Sequence, residues 1–149
     1  MAEEKKRVGT GFGVMLLKEG KVLLGKRHED PDKADSVFRA ADVWTMPGGK
    51  FEWGEKLKEG AQRELLEETG IEVKLENISV MCVNCDKNEF AHFVTVGMFV
   101  TNFTGEAKVM EPDEITEWKW FSFDNLPKNI YFPSVKVLEC YKENKFTVE

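Results

Sequence analysis

The chain reads as an α+β protein, and three observations predict that class. Apolar residues alternate at period two near the start, in VGTGFGVMLLK and VLLGKR. A central stretch, EKLKEGAQRELLEET, spaces its apolar residues as a helix does. Strand-like runs then return before a second helical pattern near the end. The order strands, helix, strands, helix implies a mixed sheet with helices packed on it. A length of 149 residues fits one domain, residues 1–149, able to bury roughly two thirds of its unfolded surface.

Each element has its own signal. Val8 to Lys18 and Val22 to Arg27 alternate about Glu19 and Gly20, which form a two-residue hairpin loop. From His28 to Asp42 the chain is polar and aperiodic, a long surface excursion of the kind that often serves function. Trp44 to Pro47 and Lys50 to Trp53 are short extended pieces on either side of Gly48 and Gly49. Leu57, Ala61 and Leu65 set a helix over Glu55 to Thr69, which Gly70 ends as a left-handed cap. Val80 to Cys85, Phe90 to Phe103 and Trp118 to Phe123 are β-branched and aromatic enough for strands. Pro133 opens a last helix through Lys142, with Val137, Leu138 and Tyr141 at helical spacing.

Bulk properties exclude several functions. A net charge of −6 disfavours a general binder of nucleic-acid polymers, which needs a basic face, although bound cations let an acidic protein handle small phosphorylated molecules. The charged start, MAEEKKR, lacks a signal peptide's apolar core, and no run of about 18 apolar residues follows, so neither secretion nor a membrane span is expected. A cytoplasmic location follows as the expectation. Cys82, Cys85 and Cys140 are an odd count, as reduced thiols are. Cys82 and Cys85 form a lone CxxC whose spacing on a strand sends the thiols to opposite faces, against a zinc site.

Chemistry concentrates on the central helix. Glu64, Glu67 and Glu68 stand three and four apart and share one face near a helix C-terminus, where like charge and the helix dipole both repel. Such pairs cost about 0.2–0.5 kcal/mol each when exposed and more when buried. A hard divalent cation with oxygen ligands relieves that repulsion. The alternative is a solvated face paired by Arg63, four residues from both Glu59 and Glu67.

The whole frame decides between them. Gly49, Glu55, Arg63, Glu64, Leu65, Glu67, Glu68, Gly70 and Ile71 stand at the spacings of the Nudix box, complete and in register. The chain resembles the Nudix hydrolases, in particular a MutT-like branch that includes oxidised-guanine nucleotide pyrophosphatases; LLGKR, MPGGKFEWGE and EPDEITEWKWFSFDNLPKNIYFP extend the likeness. The resemblance implies a Nudix fold, a central mixed sheet sandwiched between helices, and hydrolysis of a diphosphate linkage in a nucleotide. It implies Mg²⁺, with Mn²⁺ as a substitute, held by Glu64, Glu67, Glu68 and the carbonyl of Gly49 or its neighbour Gly48. Glu64 is the candidate base, and Arg63 pairs with Glu55 to tie the glycine loop to the helix.

Further roles come from the same likeness. Glu114, chosen over Glu111 and Asp113 in EPDE, adds a metal carboxylate; Arg27 contacts a phosphate. Thr45 and Met46, beside Trp44, lie near the base, Tyr131 or Phe132 stacks on it, and His92 lines its pocket. Gly97 leaves room against the sheet. Relatives pair as homodimers. The ADP-ribose and dinucleoside polyphosphate groups carry a proline and a tyrosine where this chain has Asp86 and Asn88, which points to a nucleoside triphosphate giving monophosphate and pyrophosphate. The long excursion, and Thr45 where a relative has glutamine, depart from the oxidised-guanine enzymes. Other readings are a different nucleoside diphosphate substrate, such as ADP-ribose or a nucleotide sugar, and a nucleotide sensor without catalysis. An isoprenoid diphosphate isomerase lacks the strict box.

Overall fold

The computed structural model describes residues 6–34, 38 and 40–149. Residues 1–5 of the charged start, and 35–37 and 39 of the polar excursion, lie outside the described residues. The elements in chain order are β1 (Val8–Lys18), β2 (Lys21–Arg27), β3 (Trp44–Thr45), β4 (Gly48–Lys50), α1 (Leu57–Thr69), β5 (Ile78–Lys87), β6 (His92–Val100), β7 (Ile115–Ser122) and α2 (Phe132–Glu143). They form the mixed sheet and two helices of the α+β class. Along the main path the strand order is β3-β2-β1-β6-β5; β4 adds to β1 and β7 to β2.

The hairpin turn forms at Glu19 and Gly20, both at positive φ (52° and 75°), the primed geometry that matches strand twist. Past it the two strands part. β1 and β2 pair in register only at Leu17↔Val22 and Lys18↔Lys21, while β1 runs parallel to β6 from Val8 to Leu16. The chain from Trp44 to Lys50 fills the opening: β3 pairs with β2 at Gly25 and Lys26, and β4 pairs with β1 at Gly11, Phe12 and Gly13.

Here the structure corrects one boundary. The second extended piece lies on the glycine pair itself, not on Lys50 to Trp53, and Gly54 turns the chain at φ 83°. The cause is steric: a Cβ on Gly48 would sit 2.0 Å from the Phe12 carbonyl oxygen, so only glycine lets β4 press against β1. α1 starts at Leu57 rather than Glu55 because Glu55 turns back to Arg63, while Glu59 accepts from the Lys56 backbone N–H at 2.9 Å. Gly70 caps α1 at φ 77°, its N–H reaching the Leu66 carbonyl at 3.0 Å.

Strand alternation places one helix on each face. Val14, Leu16, Leu23, Val96 and Met98 pack with Ala61 and Leu65 of α1; Met15, Val22, Leu24, Met46 and Cys82 pack with Val137, Leu138 and Cys140 of α2. Gly97 belongs to the α2 face, where the Cys82 thiol and Val137 occupy the space a side chain would take. Cys85 is exposed while Cys82 is buried, the opposite facing that strand spacing predicts. Burial and the nearby Cys140 push the Cys82 thiol up to about 12. Among the described residues no helix is long and apolar enough to cross a membrane.

Candidate active site

Helix α1 brings the box residues to the glycine loop, and Arg63 is the joint. Its Nε donates to Glu55 Oε2 at 2.6 Å and its Nη2 to Glu55 Oε1 at 3.0 Å, a two-pronged pair, while Nη2 also reaches the Lys50 carbonyl at 3.1 Å. Glu55 Oε1 accepts from the Glu52 N–H at 3.0 Å, so both of its oxygens are held. The Arg63 hydrogen bond holds the Glu55 carboxyl below the usual carboxylate range, and Glu55 in turn raises the guanidinium further above its already high value. Nη1 donates to Glu64 Oε1 at 2.8 Å and to Glu67 Oε2 at 3.2 Å. Arg63 therefore ties loop to helix and also shares its single positive charge with Glu64 and Glu67. Glu59, the other candidate partner, serves the helix start instead.

The third carboxylate fares differently. Burial first, then the hydrogen bond and charge of Glu64 and the charge of Glu111, push the Glu68 carboxyl well above its ordinary range; an N–H of Gly48 offsets part of this. Glu111 is pushed up by burial, then by Glu114, Glu64 and Glu67. The loop before β7 delivers it: Glu114 and Ile115 both donate from the backbone to the Glu111 carbonyl at 3.0 Å, and the Glu114 carbonyl accepts from His28 N–H at 2.8 Å. Gly49 lies so close that a Cβ there would be 2.8 Å from Glu64 Oε1.

Glu64, Glu67, Glu68, Glu111 and Glu114 thus converge on one cleft of about 420 Å³. Among the described residues no three His, Cys, Asp or Glu side chains are drawn to a common point in ligating geometry, since Arg63 engages Glu64 and Glu67. The donor set nonetheless fits a hard divalent ion. Every candidate ligand is an oxygen, and burial together with Glu64 and Glu111 raises the Glu68 carboxyl, a cost that a bound cation would relieve.

The rest of the cleft is lined by Arg27, Thr45, Met46 and Tyr131 of the expected residues, together with Phe12, Phe93, Thr95, Pro133, Ser134 and Val137. The Arg27 guanidinium carbon lies 5.3 Å from the Tyr131 ring centroid. Two of the residues expected to contact substrate fall outside this lining. β6 turns Phe93 and Thr95 to the cleft, so period two sends His92 to the opposite face, where its Nε2 lies 3.0 Å from Cys85 Sγ. Phe132 is packed 4.6 Å from the Phe38 ring and 5.6 Å from Tyr131, leaving the cleft to Tyr131. Asp113 is not in the lining either.

Sequence reasoning missed Phe93, Thr95 and Ser134. The alternation in HFVTVGM carried a signal for the first two once the cleft face was known; Ser134 gave none, because its role depends on where α2 begins. Asp86, at the ADP-ribose marker position, is buried with Oδ1 2.6 Å from Lys136 Nζ, and among the described residues no donor meets its Oδ2.

Comparison with known proteins agrees with this geometry. The model of the NUDIX domain matches residues 7–139. The chain is 30% identical over 127 residues to an ADP-ribose pyrophosphatase of Methanocaldococcus jannaschii, covering 85% of this chain and 69% of that one. It is 32% identical over 143 residues to an RNA pyrophosphohydrolase of a Wolbachia from Brugia malayi, covering 85% and 82%. Among solved structures, a MutT NUDIX hydrolase from Burkholderia pseudomallei superposes with a TM-score of 0.79 at 29% identity, covering 90% of this chain and 98% of that one. With its box assembled on α1 and its domain matched over nearly the whole length, the chain belongs to the Nudix hydrolases, enzymes that split phosphorus-containing anhydrides.

Proposed function

We propose that this chain is a Mg²⁺-dependent pyrophosphohydrolase acting on a nucleoside triphosphate, releasing nucleoside monophosphate and pyrophosphate. The observation that carries the reading is the division of the cleft: five carboxylates gather at α1 and the β7 loop, while Arg27, Tyr131, Thr45 and Ser134 offer a cation, an aromatic face and hydroxyls to the rest of a nucleotide. Glu64, Glu67, Glu68, Glu114 and the Gly49 carbonyl would hold Mg²⁺ or Mn²⁺. When bound, the ion neutralises the diphosphate and lowers the pKa of a water. Glu64 accepts the proton of the attacking water. Arg63, anchored on Glu55, fixes where Glu64 and Glu67 point, and Arg27 faces the phosphates from the end of β2. A cytoplasmic location and a homodimer belong to the same reading.

A second substrate class is favoured by the relatives, several of which are named RNA pyrophosphohydrolases. A 5′-triphosphate end presents the same anhydride. Turnover with Mg²⁺ is to be measured on ordinary and oxidised nucleoside triphosphates, ADP-ribose, nucleotide sugars and triphosphate-ended RNA. The expected result is strongest turnover on a free nucleoside triphosphate with pyrophosphate as product, abolished in Glu67→Gln with the fold retained. Full activity in Glu67→Gln, or no turnover of any substrate, overturns the reading.

A further inference from the structure

Thr45 and Ser134 line the cleft, both residues being more than nine-tenths buried, and their hydroxyls join in a chain of hydrogen bonds. The Met46 N–H donates to Ser134 Oγ at 3.1 Å. Thr45 Oγ1 donates its one proton to the Met46 carbonyl at 3.2 Å. With that proton so placed, the 3.3 Å contact between the two hydroxyls, across which either oxygen is able to donate, is completed by Ser134 donating to Thr45. Both hydroxyl protons are consumed inside the protein. What each oxygen keeps for the cleft is a lone pair.

Such a wall meets a ligand's donor well and a ligand's carbonyl badly. Turning the Ser134 hydroxyl outward to donate would break its bond to Thr45 and strand a buried acceptor, at the usual cost of an unmade hydrogen bond. Backbone ties hold both residues in place: Ser134 N–H donates to the Tyr131 carbonyl at 2.9 Å, which fixes the first turn of α2, and β3 fixes Thr45 against Gly25.

We propose that the Thr45–Ser134 pair reads an amino group of the nucleobase, so that the enzyme selects nucleotides by a base N–H₂ donor. This rests on the nucleotide pyrophosphohydrolase reading above and deepens it by naming two specificity-determining residues and the ligand group they accept.

The test compares matched nucleotides that differ by that amino group alone: ATP with purine riboside triphosphate, GTP with ITP, and CTP with its 4-deamino analogue. Both kcat/KM with Mg²⁺ and Kd by calorimetry are measured. The expected result is a preference of at least about tenfold for the amino-bearing member of one pair, the scale of one well-made hydrogen bond to a buried group. That preference should collapse to within about twofold in Thr45→Val, a near-isosteric change, and in Ser134→Ala. Thr45→Val serves as the reference should loss of the Ser134 oxygen unsettle α2. The inference is overturned if no pair differs by more than about twofold in the unaltered enzyme, if the preference survives both substitutions, or if discrimination follows the ribose hydroxyl, ATP against dATP, instead. Discrimination in Kd without turnover sinks the hydrolase reading and keeps this one; turnover without discrimination does the reverse. Binding of no nucleotide sinks both.

Discussion

Gly48 and Gly49 are adjacent and both belong to β4, yet alanine should act on them in opposite ways. At Gly48 the added carbon would lie 2.0 Å from the Phe12 oxygen and 3.0 Å from the Phe12 carbonyl carbon and Gly13 Cα, all backbone. Nothing there can rotate away, so β4 must leave β1. The register Gly11↔Lys50, Phe12↔Gly49 and Gly13↔Gly48 and the 2.7 Å bond from Val14 N–H to the Pro47 carbonyl are then at risk. Losing two such bonds at about 0.5–1.5 kcal/mol each, with some repacking, gives a destabilisation of roughly 2–4 kcal/mol. For a chain of 149 residues, at about 3 °C per kcal/mol, Tm should fall by roughly 6–12 °C. At Gly49 the carbon would meet Glu64 Oε1 at 2.8 Å, the end of a side chain that can swing aside. Stability should then change by less than about 1 kcal/mol, while displacing Glu64 by about 1 Å lowers kcat roughly 10²-fold. Calorimetric melting and pyrophosphate release on both variants make the comparison. Equal Tm losses in the two, or a Gly48→Ala protein melting within about 2 °C of the parent, would refute the reasoning.

Three further outcomes are expected. Glu55→Gln removes a charge-assisted pair from Arg63, whose side chain is 20% exposed, and should cost about 1–3 kcal/mol in urea unfolding together with a fall in kcat; an unchanged midpoint counts against the joint. The Glu68 and Glu111 carboxyls are raised in the folded chain, so metal-free protein carries no penalty from them below their unfolded range near 4.5 and loses stability as pH rises through their folded values. Glu55 is lowered, so its contribution is present at neutral pH and is lost as pH falls below that range. Added Mg²⁺ should therefore raise Tm more at pH 8 than at pH 5.5, and a pH-independent rise would contradict the assignment. Finally, Cys85 should react with a thiol reagent at pH 8 in the native protein, whereas Cys82, with its thiol pushed up to about 12, and buried Cys140 should react only on unfolding.

The carboxylates that α1 brings to the cleft were legible in the sequence because they are local. Glu55 to Gly70 is one continuous run, helix periodicity fixes which side chains share a face, and Gly70 marks the end. The other half of the cleft is assembled from β2, β3, β6 and α2, and its residues owe their positions to pairings that no short window contains. His92 shows the difference: β6 begins at His92, and which of its faces looks into the cleft depends on the parallel pairing of β6 with β1. β4 was displaced for a similar reason, since the pull of Gly48 onto Phe12 is a contact across 36 residues of chain.

Arg63 gives the molecule a way through biosynthesis. By lending its Nη1 to Glu64 and Glu67, it acts as a built-in counterion, so the acidic turn need not wait for an ion before the chain closes on its core. Zinc-finger modules, which stay unfolded until loaded, obey the opposite order of events. Here Arg63 stays anchored on Glu55, so the polypeptide is free to acquire its shape first, and an ion of the kind proposed above would join Arg63 at the acidic turn and not replace it.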